Sequence, residues 1–174
     1  MATRQRNQRL ESANQGNFAE FVEWLKARYR TTNGLNDAWL LSYWGQTVDS
    51  WENMPPPDKA NSTSYKLDWI RFQQWRATRF IAWQAGLVRA NARPSQFVTQ
   101  NHATMTRTKS NPVQMGKALD IVANDIYFDW QDAYDGWKQT FQGDLARSVK
   151  HDNYLVAETD AQTQGWDATN QIPP

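Results

Sequence analysis

The chain has 174 residues, enough for one domain with a real core and too few for two large ones. Its 19 Lys and Arg stand against 18 Asp and Glu, a formal charge of +1, so it has no long-range field to favour nucleic acid or an anionic membrane. The absence of cysteine excludes disulfides, thiolate metal sites and cysteine nucleophiles.

No run approaches the ~18 apolar residues of a membrane span, and the N-terminus lacks the apolar core of a secretory signal. A soluble, cytoplasmic chain is expected. Ten Trp, six Tyr and seven Phe are a heavy aromatic load at a mean hydropathy of −0.83. Most should be core, and some could stack on sugar rings in a cleft.

Residues 1–17 carry Arg4, Arg6 and Arg9 among Gln and Asn without an apolar stripe, which predicts a disordered arm. Asn17 is placed to cap a helix with Phe18, Phe21, Val22, Leu25 and Tyr29 on one face. A second short helix or turn is expected over Leu35 to Trp44. Three prolines, Pro55 to Pro57, sit in a loop over 47–65 that is too long for a plain connector and reads as a candidate active-site loop. A long helix follows over Leu67 to Asn91. Its apolar stripe runs through Leu67, Ile70, Ala77, Phe80, Ile81, Leu87 and Val88, with an aromatic edge of Trp69, Phe72 and Trp83, so both a sheet and a helix are expected to pack on it.

After Pro94 the period changes. Phe97-Val98-Thr99, Ile121-Val122-Ala123 and Tyr154-Leu155-Val156-Ala157 read as three short strands, the last buried on both faces. Between them lie a weak helix near Val113 to Leu119 and a helix with Trp137, Phe141, Leu145 and Val149 on one face. Strand-helix-strand alternation implies parallel pairing with right-handed crossovers. Each strand runs into polar groups: Asn101, Asp125 and Glu158. Carboxyl ends of parallel strands are where ligands bind, so this edge is the candidate site. Glu158 is either a working carboxylate or a structural one that caps a loop or pairs with an Arg.

His102 follows Asn101 and is either a cleft residue or a plain surface or supporting group; His151 reads as solvent-facing. Asp129, Asp132 and Asp135 lack the Gly and Glu of a calcium loop. No His, Asp or Glu cluster has metal-ligand spacing, and no Ser-His-Asp set or Gly-rich phosphate loop is present. No metal or cofactor is expected.

Glu158-Thr159-Asp160-Ala161-Gln162, Gly165-Trp166 and Pro173-Pro174 resemble the segment around the nucleophile of family 42 glycoside hydrolases, the β-galactosidases. Phe21-Val22, Trp24-Leu25, Leu35-Asn36-Asp37-Ala38-Trp39, Tyr43-Trp44-Gly45-Gln46, Leu67-Asp68-Trp69, Gln96-Phe97-Val98-Thr99-Gln100-Asn101 and Asp125-Ile126-Tyr127 resemble the family's middle segments in the same order. The likeness spans roughly residues 14 to 174.

The resemblance implies an α/β fold, part of a (β/α)8 TIM barrel with about three parallel strands, over residues 18–174. A full barrel normally takes ~250 residues, so a truncated catalytic domain is expected. It further implies retaining hydrolysis of β-galactosides with Glu158 as nucleophile. Trp166, Tyr127, Asp125, Trp44 and Asn101 would line the site, Trp166 as a wall of the galactose subsite. The family's acid/base glutamate follows an asparagine, and no Asn-Glu pair stands in Arg4 to Arg9, where it would fall; Glu11 is the nearest carboxylate. Two further readings stay open: a non-catalytic sugar-binding or oligomerising remnant of the family, and an unrelated structural or interaction protein. Unpaired outer strands predict a homo-oligomer.

Overall fold

The computed structural model describes residues 2–103, 105, 110–127 and 136–159, apart from the side chains of 2–15, Trp44 and Lys138. The chain divides into two compact units, residues 1–73 and 74–174.

The first unit is helical. Helix α1 runs over Ala2–Tyr29, so residues 2–17 are helical where a disordered arm is expected from the sequence. Arg, Gln, Leu, Glu and Ala all propagate a helix, and a missing apolar stripe argues against packing, not against helix. The helix ends at Arg30, which adopts a left-handed φ of 66°. Thr31 then caps α2 (Thr32–Trp39) by accepting a hydrogen bond from the Gly34 amide at 3.0 Å. Gly34 is required there, because a Cβ would stand 2.7 Å from the Tyr29 carbonyl oxygen. Two 3-10 turns, Leu41–Trp44 and Trp51–Asn53, lead to α3 (Thr63–Asn91), whose first part belongs to this unit.

Phe21, Leu25, Leu35, Tyr65 and Phe72 are fully or almost fully buried and form the core of the unit. The Phe21 ring meets Trp69 edge-on at 4.9 Å and Tyr65 at 5.3 Å, geometries in which a positive ring edge faces a negative ring face. Asp68 is buried inside this aromatic set, and both of its oxygens are engaged. Tyr29 Oη and Trp39 Nε1 donate to Oδ2, the latter at 3.0 Å, and Arg71 donates to Oδ1 at 3.0 Å. Asn36 closes the loop before Pro55 by exchanging two hydrogen bonds with the Val48 backbone.

The second unit holds a three-stranded parallel sheet in the order β1-β2-β3: Asn101–His102, Val122–Asp125 and Tyr154–Glu158. Helix α4 (Pro112–Gly116) lies between β1 and β2, and α5 (Gly136–Lys150) between β2 and β3. The first strand is displaced from the predicted Phe97 to Thr99. The Val98 amide is taken by Asp120 Oδ2 at 2.7 Å and the Thr99 hydroxyl by the Ile121 carbonyl at 2.7 Å, so laddering starts only at Asn101.

One face of the sheet packs on α5, where Val122, Met105 and Ala146 are buried against Leu145, Val149 and Tyr154. Gly143 lets α5 approach β3, since a Cβ there would collide with the Tyr154 hydroxyl. A second small cluster joins Ala85, Val98 and Leu119.

β3 pairs with β2 in the register Val122 with Tyr154, Ala123 with Leu155 and Asn124 with Val156; then Asp125 meets Glu158, skipping Ala157. That extra residue is a bulge.

Three expectations about burial are corrected. β3 is not buried on both faces: Leu155 is 37% and Val156 49% exposed, because β3 is an outer strand of the described sheet. The α3 stripe is largely uncovered, with Leu67, Phe80, Leu87 and Val88 exposed, whereas Tyr65, Asp68, Phe72 and Ala85 are buried. Of the four apolar residues read on one face of α5, Leu145 and Val149 pack on the core beside Ala146, and Trp137 and Phe141 are exposed. No helix among the described residues is long and apolar enough to cross a membrane.

Candidate active site

The carboxyl ends of β1, β2 and β3 bring four of the sequence-predicted residues together. Asn101 ends up beside both acids: its Nδ2 donates to Asp125 Oδ2 at 2.9 Å and to Glu158 Oε1 at 3.4 Å. The Tyr127 hydroxyl donates to Glu158 Oε2. The Ile126 amide donates to the Glu158 carbonyl at 2.9 Å, which ties the segment carrying Tyr127 to the end of β3. Each oxygen of the Glu158 carboxylate therefore has its own donor, one from β1 and one from the segment after β2, and the residue stays exposed. The bulge produces this grouping by turning Glu158 onto the face that carries Asp125 and Asn101.

Asp125 differs from Glu158 in surroundings. It is 6% exposed, and its Oδ1 is buried without a hydrogen-bond partner among the described residues. Burial holds its carboxyl above the ordinary aspartate range, against the Asn101 hydrogen bond, with the nearby Glu158 charge adding to the rise and His102 opposing it. The two acids share one face of the sheet, one buried and one exposed.

His102 is a buried residue, neither cleft-facing nor on the surface. It sits beside Asn124 in the ladder, on the α5 side of the sheet, where Asn124 Nδ2 reaches the Gln142 carbonyl at 3.5 Å. Burial lowers its pKa, with Asp125 pulling the other way, so the imidazole is held neutral. The sequence signalled neither the burial of His102 nor that of Asn124, which directly follows the strand read over Ile121 to Ala123.

Two predicted residues do not enter the described site. Trp44 closes a 3-10 turn of the first unit, and its side chain is not described. Trp166 lies outside the described residues, as do Asp129, Asp132 and Asp135. Among the described residues no group of three His, Asp or Glu could hold a metal ion. The candidate loop over 47–65 lines a cavity of about 320 Å³ with Trp39, Met54, Pro55, Lys59, Ser62 and Tyr65. No carboxylate or histidine lines that cavity.

The model of the family described as Beta-galactosidase, glycoside hydrolase family 42, matches residues 6–174. The chain belongs to this family. A β-galactosidase from Arthrobacter sp. is 31% identical over 158 residues, covering 88% of this chain and 23% of that protein. The crystal structure of the cold-adapted β-galactosidase from Rahnella sp. R3 superposes with a TM-score of 0.79 at 26% identity, over 90% of this chain and 24% of that one. The β-galactosidase of the Antarctic haloarchaeon Halorubrum lacusprofundi gives 0.73 at 28% identity, over 88% and 25%. The family 42 chain thus spans about a quarter of the length of these relatives. Its three parallel strands and flanking helices are part of an α/β barrel, and the acid cluster lies at the carboxyl ends of the strands, the end that carries active sites in such barrels.

Proposed function

We propose that Glu158 is the nucleophile of a retaining β-galactosidase site. The observation that carries this reading is the carboxylate itself: exposed, at a strand's carboxyl end, with Asn101 on one oxygen and Tyr127 on the other. A nucleophile held by two donors is fixed in direction before the sugar arrives, which is the positioning that an in-line attack requires. Glu158 attacks the anomeric carbon, the glycosidic bond breaks, and the leaving oxygen takes the electron pair; the galactosyl ester is later cleaved by water. Relatives named β-galactosidases support the choice of sugar.

The leaving oxygen of a natural galactoside needs a proton, worth ~100- to 10,000-fold. In a second reading the site holds galactosides without cutting them; no Asn-Glu pair stands in Arg4 to Arg9, where the resemblance would place the proton donor. A 2-fluoro galactoside with a dinitrophenyl leaving group tests the nucleophile apart from the proton donor, since dinitrophenolate departs unprotonated. Intact mass and peptide mapping should find the adduct on Glu158. A folded chain that stays unlabelled would overturn the nucleophile assignment.

Self-association along the outer edge of β3 belongs to the same proposal, supported by exposed Leu155 and Val156. Sedimentation should show a species larger than the 20.2 kDa monomer, and Val156→Lys should shrink it. A sharp wild-type monomer would remove this part.

A further inference from the structure

The resemblance places Asp125 among the sugar-binding residues, and its surroundings argue for another task. Asp125 Oδ2 is already occupied by Asn101, and Oδ1 is buried, so neither oxygen is presented to a ligand as the exposed Glu158 carboxylate is. The Asn101 amide lies between two carboxyl groups. Carboxylates only accept hydrogen bonds, so chemistry fixes which end of the amide faces them: Nδ2, with one hydrogen for each acid. The shorter bond, 2.9 Å, goes to the buried acid and the longer, 3.4 Å, to the exposed one. The amide is anchored on Asp125 and reaches toward Glu158.

We propose that Asp125 is a positioning residue for Glu158: it anchors the Asn101 amide that holds Oε1, and through that amide the charge on one acid is felt by the other. This rests on Glu158 being the nucleophile. Attack on the sugar turns Glu158 from an anion into a neutral ester, which removes the like charge facing Asp125 and weakens the hydrogen bond from the second Asn101 hydrogen. Hydrolysis restores both. The pair therefore alternates between two electrostatic states in each turnover, with the buried acid as the fixed end.

Among the described residues, the titratable groups that bear on Asp125 are few. β1 contributes His102 and β3 contributes Glu158. Beyond β2, Tyr127 faces Glu158, and α5 presents Gln142 to Asn124 on the other side of the sheet.

The test uses the whole chain and the 2-fluoro dinitrophenyl galactoside, with inactivation followed against pH in wild type, D125N and D125A. D125A should slow the bond-forming step about tenfold or more while the reagent's apparent affinity stays within about threefold. D125N should remove one ionisation from the pH profile of that step. Weaker reagent affinity with an unchanged bond-forming rate would make Asp125 a sugar contact, and a D125N profile that superposes on wild type would end the coupling; either overturns the proposal.

If the wild-type chain takes no label, the proposed function fails and the positioning is read separately. The ¹⁵N–¹H signals of the Asn101 side-chain amide should move with pH, and D125N and E158Q should each remove part of that movement. Signals that ignore pH, or that move identically in both variants and wild type, overturn the proposal without reference to activity. Should D125A not fold, D125N and the amide titration still decide.

Discussion

The two units handle buried acids in opposite ways. In the first, Asp68 is 1% exposed and accepts from Tyr29, Trp39 and Arg71, so both of its oxygens are engaged. In the second, His102 Nε2, Asn124 Oδ1 and Asp125 Oδ1 are buried with no partner among the described residues. A buried polar group without a partner costs about 1–3 kcal/mol, so folding alone would favour apolar replacements there. The satisfied acid holds the fold; of the unsatisfied groups, Asp125 lies beside Glu158 at the candidate site, whereas His102 and Asn124 lie on the α5 side of the sheet. This agrees with the general finding that strain and unmet bonding capacity gather at functional sites.

Substitutions can break or sharpen that contrast. The largest effect should come from Glu158→Gln, which should lower labelling by the 2-fluoro reagent at least about 1,000-fold while leaving the circular-dichroism spectrum intact. Residual labelling near the wild-type rate would move the nucleophile elsewhere.

Next in size, Asp68→Ala should cost about 2–4 kcal/mol in urea unfolding followed by Trp fluorescence, because it strands the Tyr29 and Trp39 donors. Asp125→Asn should instead cost nothing at neutral pH. The sign follows from the raised pKa of Asp125. The folded chain binds this proton more tightly than the unfolded chain, so the acid does no harm below its ordinary value of 3.8. As pH rises from there through the folded value, stability falls, and Asn abolishes that fall. Asp125→Asn should therefore gain stability at neutral pH and lose the gain in acid; equal losses for the two aspartates would erase the contrast between the units. The smallest effect belongs to Thr31→Ala, about 1 kcal/mol from losing the cap on α2, with labelling unchanged.

The sequence disclosed these regions unequally. β3 was legible because Tyr154 to Ala157 is an apolar run closed by an acid, and the three polar strand ends were legible as a group. β1 was not, because the residues that pair, Asn101 and His102, are polar, while apolar Val98 gives its amide to Asp120. On α3 the pattern identifies apolar residues but not which of them are covered. Leu87 and Val88 are exposed, while a tyrosine and an aspartate on the same helix are buried, because specific hydrogen bonds outweigh average hydropathy there. The burial that separates Asp125 from Glu158 depends on contacts between strands about 30 residues apart in sequence, which no local pattern reports.

Ala157 gives the sheet a parity switch. Along a strand, odd and even positions belong to opposite layers, and the one unpaired alanine changes the count between Tyr154 and Glu158. Tyr154 faces α5, and in an unbroken ladder Glu158, four positions on, would face α5 too. Deleting Ala157 alone would bring Glu158 into the position opposite Asp125 by plain alternation, and inserting a second residue would send it back to the helix layer. Whether the acid lies beside Asp125 and Asn101 or against α5 is thus decided by arithmetic along the backbone, independent of which side chains the neighbouring positions carry.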